Sequence, residues 1–384
     1  MPVSPVARAP IRVLFVFGTR PEAIKLCPLI KRLEQTPELF RARVCVTAQH
    51  RSMLDQVLSA FHVEPHHDLN LMLPDQTLGQ LTSRTVAALE PVVASERPDL
   101  VVVQGDTTTT FCAALAGFYA RARVAHVEAG LRTGDKYQPF PEEINRVLTT
   151  RVTDLHFAAT EEAAGNLRAE GIPAASIFVT GNTVVDAVLF IRDGLEKGEL
   201  PRTQWPFLDP SRKLILVTAH RRESFGDGFE RICRALLELA GRPDVKIVYP
   251  VHCNPNVQEP VRRALSGCSN IHLLEPLEYV PFVDLMTRSY LILSDSGGVQ
   301  EEAPSLGKPV LVMREKTERP EAVRAGTVRL VGTDVEKILR QAGRLLNDPA
   351  YYGEMARRHN PYGDGHACER IAAIIAREVG ANQA

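Results

Sequence analysis

Short runs of consecutive apolar residues, each ending abruptly in polar ones, recur down both halves of the chain. In the first half they fall at 11–17, 42–47, 100–104, 123–128, 154–158 and 176–180. Between them, apolar positions return every three or four residues over 21–35, 51–60, 77–96, 107–120, 141–152 and 160–170, the spacing of amphipathic helices. An apolar run without alternation suits a strand buried on both faces, and such burial belongs to parallel sheets covered by helices. The alternation therefore predicts βαβ units. Gly181-Asn182 ends this half, and 183–194 reads as a connecting helix.

The segment 194–212 carries Pro201, Trp205-Pro206 and Pro210, which break helices, so it reads as a surface linker. The pattern then restarts, with strands at 213–219, 245–251, 270–274, 290–294, 309–313 and 327–330. Helices intervene near 227–240, 256–266, 280–287, 298–306, 319–325 and 334–346; another covers 349–357, and a last one begins near 365. The predicted fold class is α/β, with two Rossmann-like domains facing a central cleft. The expected domains are 1–182 and 183–364, and a C-terminal helix, 365–384, packs back on the first domain.

At 384 residues the chain is too long for one compact core. Its net charge of −1 gives no overall field for nucleic acid or an anionic membrane, so anion binding must be local. No apolar run is long enough to span a bilayer. The opening MPVSPVARAPIR has no apolar core of a secretory signal and reads as a lead-in. Seven scattered cysteines without a C-x-x-C pair fit a reducing compartment, hence the cytoplasm. No Cys/His cluster has ligand spacing, so no metal is expected, and His66-His67 reads as a solvated loop pair.

Strand exits in both halves carry the candidate chemistry. GTRPE follows the first strand: Gly18 permits a tight turn, Pro21 suits the first helical position, and Arg20 with the helix N-terminus favours a phosphate. Lys25 lies on the same helix. The plainer reading pairs Arg20 with a carboxylate such as Glu22. Asp106 follows the next exit ahead of four threonines, and serves either as a helix N-cap or as an acid–base group. Glu128 ends another strand, and Glu142 or Glu143 opens the helix after PFPEE. Carboxylates crowded together raise one another's pKa, which suits proton transfer near neutrality.

In the second half His220, beside Arg221 and Arg222, and His252 end successive strands. Ser296, Gly297 and Gly298 precede a helix whose N–H groups can cradle a diphosphate, with Glu302 placed for ribose hydroxyls and Arg319 within reach. No G-x-G-x-x-G follows the first strand, so no nicotinamide cofactor is expected.

FGTRPEAIK, GDTTTT, HVEAGLRTGD, PEEINR, GNTVVDA, AHRRESFG, YPVHCNPNV and SDSGGVQEEAPSLGKPVLVMRE together resemble the bacterial non-hydrolysing UDP-N-acetylglucosamine 2-epimerases over nearly the whole chain. The resemblance implies a glycosyltransferase-B architecture and reversible conversion of UDP-GlcNAc to UDP-ManNAc through 2-acetamidoglucal, supplying ManNAc for surface polysaccharide. It implies catalytic roles for Asp106, Glu128, Glu142 and His220. Arg20, Lys25, Phe282, Ser296, Gly297, Gly298, Glu302 and Arg319 fall to substrate and UDP. In some relatives a second UDP-GlcNAc is an allosteric activator, and Gln49, His50, Arg221 and His252 match that region. Leu277 stands where relatives often carry Gln. A homodimer is implied, with no cofactor. The alternatives are a glycosyltransferase of the same fold and a hydrolysing epimerase releasing ManNAc and UDP.

Overall fold

The computed structural model describes residues 9–48 and 51–383. The chain divides into two compact units, one holding residues up to Ala187 together with those from Gly363, the other Val188–Tyr362.

The first unit is built on a parallel sheet of β1 (Ile11–Phe17), β2 (Phe40–Val46), β3 (His67–Asp68), β4 (Leu100–Gln104), β5 (Arg123–Val127), β6 (Leu155–Ala158) and β7 (Ile177–Val179). Their order is β3-β2-β1-β4-β5-β6-β7. Val13–Phe17 in β1 and Leu100–Val103 in β4 are wholly buried, which is why those stretches contain no polar residue. Strand order reverses between β1 and β4. Loops leaving neighbouring strands at such a point diverge and open a crevice at the carboxyl ends. GTRPE and GDTTTT are those loops.

Of the pair read as a solvated loop, His66 is exposed in a bend, but His67 belongs to a strand, β3. His66 N–H donates to Val44 O at 2.8 Å, which leads His67–Asp68 onto the edge of β2, and His67 Nε2 lies 2.7 Å from Glu96 Oε1. A two-residue strand has no apolar run to announce it. The closing helix, Ala367–Glu378, packs against the helix Arg20–Glu34. Asp186 accepts from the backbone of Ala367 (3.2 Å) and Cys368 (2.8 Å) and so caps its N-terminus.

The second unit repeats the plan with β8 (Lys213–Thr218), β9 (Val245–Pro250), β10 (Ile271–Leu274), β11 (Leu291–Ser294), β12 (Val310–Val312) and β13 (Val328–Leu330), in the order β10-β9-β8-β11-β12-β13. Here the reversal lies between β8 and β11. The stretch read as a linker is docked: Trp205 Nε1 donates to Asp284 at 2.7 Å, and Phe207 stacks on His272 with ring centroids 4.8 Å apart. Its prolines stop helices without freeing the chain. The helix expected over 298–306 splits into Gly297–Glu302 and a 3-10 turn, Ala303–Leu306, because Pro304 has no N–H for the α ladder. Among the described residues no helix is long and apolar enough to cross a membrane, and no group of three His, Cys, Asp or Glu is placed to hold a metal.

Candidate functional site

At the β1 exit, Gly18 is required by proximity and not by turn geometry. A Cβ there would sit 2.1 Å from Thr47 Oγ1, which is itself 2.9 Å from Thr109 Oγ1. Thr19 caps the following helix, which begins at Arg20, so Pro21 occupies its second position. The proposed Arg20–Glu22 pair is absent: Glu22 turns inward and is 1% exposed, while Arg20 is half-buried at the start of the helix.

At the β4 exit, Thr107 and not Asp106 caps the helix Thr108–Tyr119. Asp106 Oδ2 instead receives Arg146 Nη2 at 2.5 Å, and Asn145 Nδ2 donates to the Asp106 carbonyl at 2.9 Å. Both clamping groups come from the helix Glu142–Arg151, one turn after PFPEE. Arg146 also donates to Glu143 Oε2 at 3.0 Å, while Glu143 accepts from Thr133 and Gly134 N–H. Glu143 is therefore spent on local structure. Glu142, its neighbour, keeps a buried Oε2 with no hydrogen-bond partner.

Glu128 stands just past β5 with φ of +65°, a left-handed conformation costing a non-glycine residue about 1–3 kcal/mol. That backbone aims the carboxylate at Lys25 Nζ, 2.6 and 2.7 Å from its two oxygens, and at Asn182 Nδ2, 3.1 Å away. Gln104 Nε2 donates to it as well. The crowding expected of the carboxylates is thus relieved: Lys25 neutralises Glu128, and Arg146 serves Asp106. Beneath them, His126 is fully buried and its Nε2 lies 2.7 Å from the Gly105 carbonyl, next to Asp106. Burial, the dominant influence, pushes its pKa down to about 3, so the ring is neutral and Nε2–H donates.

The second unit gathers its own cluster where β8, β9 and β11 end. Asp295, 0% exposed, accepts the backbone N–H of His220 (2.7 Å) and Arg221 (2.8 Å) through Oδ2, and its Oδ1 lies 3.2 Å from His220 Nδ1. His252 stacks on His220 with centroids 5.5 Å apart. A Cβ at Gly297 would lie 3.9 Å from Arg221 Nη2, and one at Gly298 would lie 3.9 Å from Ser296 Oγ and 4.0 Å from Glu302 Oε2. These side chains therefore converge on the Ser296-Gly297-Gly298 turn. Tyr279 donates to Glu302 Oε1 at 3.1 Å, and Phe282 lies one turn on along the helix Tyr279–Arg288. Arg319 is held by Glu301 and donates to Glu318 O at 3.2 Å.

Arg221 and His252, matched to an effector region, thus lie with the diphosphate-cradle candidates. Gln49 and His50 fall outside the described residues. Sequence reasoning missed Arg146, Asn182, Gln104 and Asp295 as site residues. All but Gln104 stood in quoted motifs (PEEINR, GNTVVDA and SDSGG), but their roles come from partners 24 to 75 residues away.

Known proteins resemble this chain over nearly its whole length. The profile of the UDP-N-acetylglucosamine 2-epimerase family matches residues 31–376. The UDP-N-acetylglucosamine 2-epimerase of Escherichia coli O157:H7 is 57% identical over 370 residues, covering 95% of this chain and 98% of its own. That of Salmonella typhimurium LT2 is 58% identical with the same coverage. A crystal structure of the Neisseria meningitidis enzyme bound to UDP-GlcNAc superposes with a TM-score of 0.87 at 49% identity, covering 96% of this chain and all of that one. With a parallel-sheet architecture shared by both units and a family match over most of its length, the chain belongs to the UDP-N-acetylglucosamine 2-epimerase family.

Proposed function

We propose that this chain inverts C2 of UDP-GlcNAc reversibly, giving UDP-ManNAc, by expelling UDP to form 2-acetamidoglucal and adding it back. The observation that carries the reading is the pair of carboxylates at the adjoining β4 and β5 exits, Asp106 held by Arg146 of the helix that Glu142 opens and Glu128 held by Lys25, in a chain 57% identical to a named epimerase. The C2 hydrogen of the sugar is next to no carbonyl carbon, so direct removal yields no stabilised anion. Breaking the C1–O bond first puts positive character on C1, which acidifies C2–H. Proton loss then gives the glycal, and protonation from the opposite face inverts the centre while the diphosphate rejoins C1.

The residues divide this work. The Ser296-Gly297-Gly298 turn, Arg221 and His220 receive the departing diphosphate, with Glu302 at the ribose and Phe282 at the uracil. Arg319, braced by Glu301, borders the same set. Arg20 and Lys25 lie on the sugar side of the substrate, with Lys25 also holding Glu128. In this reading Glu142, whose Oε2 is unpartnered, moves a proton, while Asp106 and Glu128 keep paired cations that fix their orientation. Asp295 fixes the backbone that carries His220 and Arg221 by accepting both N–H groups, with Oδ1 facing the ring. The reading includes a cytoplasmic homodimer supplying ManNAc for surface polysaccharide, and a second UDP-GlcNAc acting as activator next to Arg221 and His252.

Proton NMR of the anomeric signals tests the reaction: UDP-GlcNAc and enzyme, with nothing else added, should reach a mixture with UDP-ManNAc. Asp106→Asn should abolish turnover and leave UDP affinity within a few-fold. Release of free ManNAc and UDP, or transfer to an acceptor, would overturn the reading. Starting from pure UDP-ManNAc, immediate full-rate turnover would remove the activator.

A further inference from the structure

Glu22 is a carboxylate at the β1 and β4 exits that the proposed chemistry does not use, and its environment is unlike that of a solvated helix residue. It is 1% exposed on the first turn of the helix Arg20–Glu34. Oε2 accepts three donors from the β1 exit: Gly18 N–H at 3.1 Å, Thr19 N–H at 2.8 Å and Thr19 Oγ1 at 2.7 Å. Oε1 faces the β4 exit, with Thr107 Oγ1 at 2.8 Å and Thr110 Oγ1 at 3.1 Å. One side chain therefore spans the two loops that diverge at the strand-order reversal.

Counting protons sharpens the assignment. Thr110 has a single hydroxyl hydrogen, and the Gln104 carbonyl at 2.7 Å takes it best. That leaves Oε2 with three donors and Oε1 with one, from Thr107, so the span is held chiefly by one oxygen at each end. The chain on either side leads directly to chemistry: Arg20 follows Thr19, Asp106 precedes Thr107, and Lys25 lies on the same helix as Glu22.

We infer that Glu22 is a positioning residue that sets the distance between the Gly18-Thr19-Arg20 loop and the Asp106-Thr107 loop, and so the placement of Arg20, Lys25 and Asp106 on the sugar. This rests on the epimerase reading above. Misplacement of reacting groups by about 1 Å costs on the order of 10²-fold in rate. A neutral amide can also make the span: the oxygen of a glutamine takes the Oε2 donors, and its NH2 donates to Thr107 and Thr110, whose hydroxyls have free lone pairs. An aspartate is one methylene too short to reach both loops.

The test compares Glu22→Gln, Glu22→Asp and Glu22→Ala in the full chain, with circular dichroism to confirm folding. Glu22→Asp and Glu22→Ala should lose about 10²-fold in kcat, with UDP affinity within about threefold of wild type because the UDP-binding candidates lie in the other unit. Glu22→Gln should stay within about tenfold in kcat. Thr107→Ala combined with Thr110→Val should repeat the kcat loss and add little to Glu22→Ala. If Glu22→Asp epimerises like wild type, or if kcat falls equally in Glu22→Gln and Glu22→Ala, the positioning role is overturned. Should Glu22→Ala fail to fold, the Glu22→Asp and double threonine variants decide. A wild-type enzyme that does not epimerise would instead overturn the functional reading.

Discussion

Replacing Gly18 by alanine probes how tightly the β1 exit is built. The new Cβ would stand 2.1 Å from Thr47 Oγ1 and 3.0 Å from Thr109 Oγ1, against an ordinary contact of roughly 3.5 Å. Thr47 must therefore rotate, breaking its 2.9 Å bond to Thr109 inside a wall where both are 1% exposed. A buried hydroxyl left unpaired costs about 1–3 kcal/mol, and overpacking adds about 1–3 kcal/mol. The two overlap in one rearrangement, so about 2–4 kcal/mol is expected. Removing the main obstacle should remove most of the cost: Thr47→Ala leaves its Cβ 3.5 Å and Thr109 Oγ1 3.0 Å from the added methyl, and Gly18→Ala in that background should cost about 1 kcal/mol. The single tryptophan, Trp205, lies in the second unit and would report the wrong region. Native-state hydrogen exchange of the β1 amides reads the right one. At about 1.4 kcal/mol per tenfold, Gly18→Ala should speed their exchange roughly 30- to 1000-fold. Acceleration below about threefold, or an equal cost with and without Thr47, would refute the close-approach argument.

Other consequences follow from the same geometry. His126 is held neutral by burial with a pKa near 3, whereas in the unfolded chain it takes a proton near pH 6.5. Stability is therefore complete above about pH 6.5 and is lost as pH falls toward 3, by up to about 1.4 kcal/mol per pH unit. Calorimetric midpoints of His126→Gln should fall less steeply between pH 6 and 4 than those of wild type; parallel curves would refute this. Asp295→Asn keeps an oxygen for the His220 and Arg221 N–H groups but turns an amide toward His220 Nδ1. A 10- to 100-fold loss in kcat with UDP affinity nearly intact is expected, and an unchanged kcat would remove His220 orientation from the mechanism. Lys25→Met strips a cation from the buried Glu128, and thermal unfolding should show a loss of about 3–5 kcal/mol, partly restored by adding Glu128→Gln.

The sheets were legible because burial on both faces leaves unbroken apolar runs, as in Val13–Phe17 and Leu100–Val103. His67–Asp68 was not, since so short an edge strand is defined by its bonds to β2 and not by its composition. Strand exits were legible as places where such a run meets charge, and these supplied Arg20, Asp106, Glu128, His220 and Ser296. What each charge does was not. Glu22 beside Arg20 suggests a local pair, but Thr107 and Thr110 draw it inward from 85 and 88 residues away. Asp106 resembled a cap until Thr107 took that role and Arg146 claimed the carboxylate. Gly18 suggested a turn, and only the fold brings Thr47 against it. Local pattern names the element and its chemistry-bearing end, while long-range partners decide which charges remain available.

The central claim is that a hydrogen leaves C2 of the sugar and is replaced from the opposite face. The direct measurement is turnover of UDP-GlcNAc in deuterated water, with mass spectrometry and NMR of both sugar nucleotides. The account predicts UDP-ManNAc deuterated at C2, followed by deuterium at C2 of the remaining UDP-GlcNAc as the reaction reverses. UDP-ManNAc formed with its original C2 hydrogen in place would contradict it.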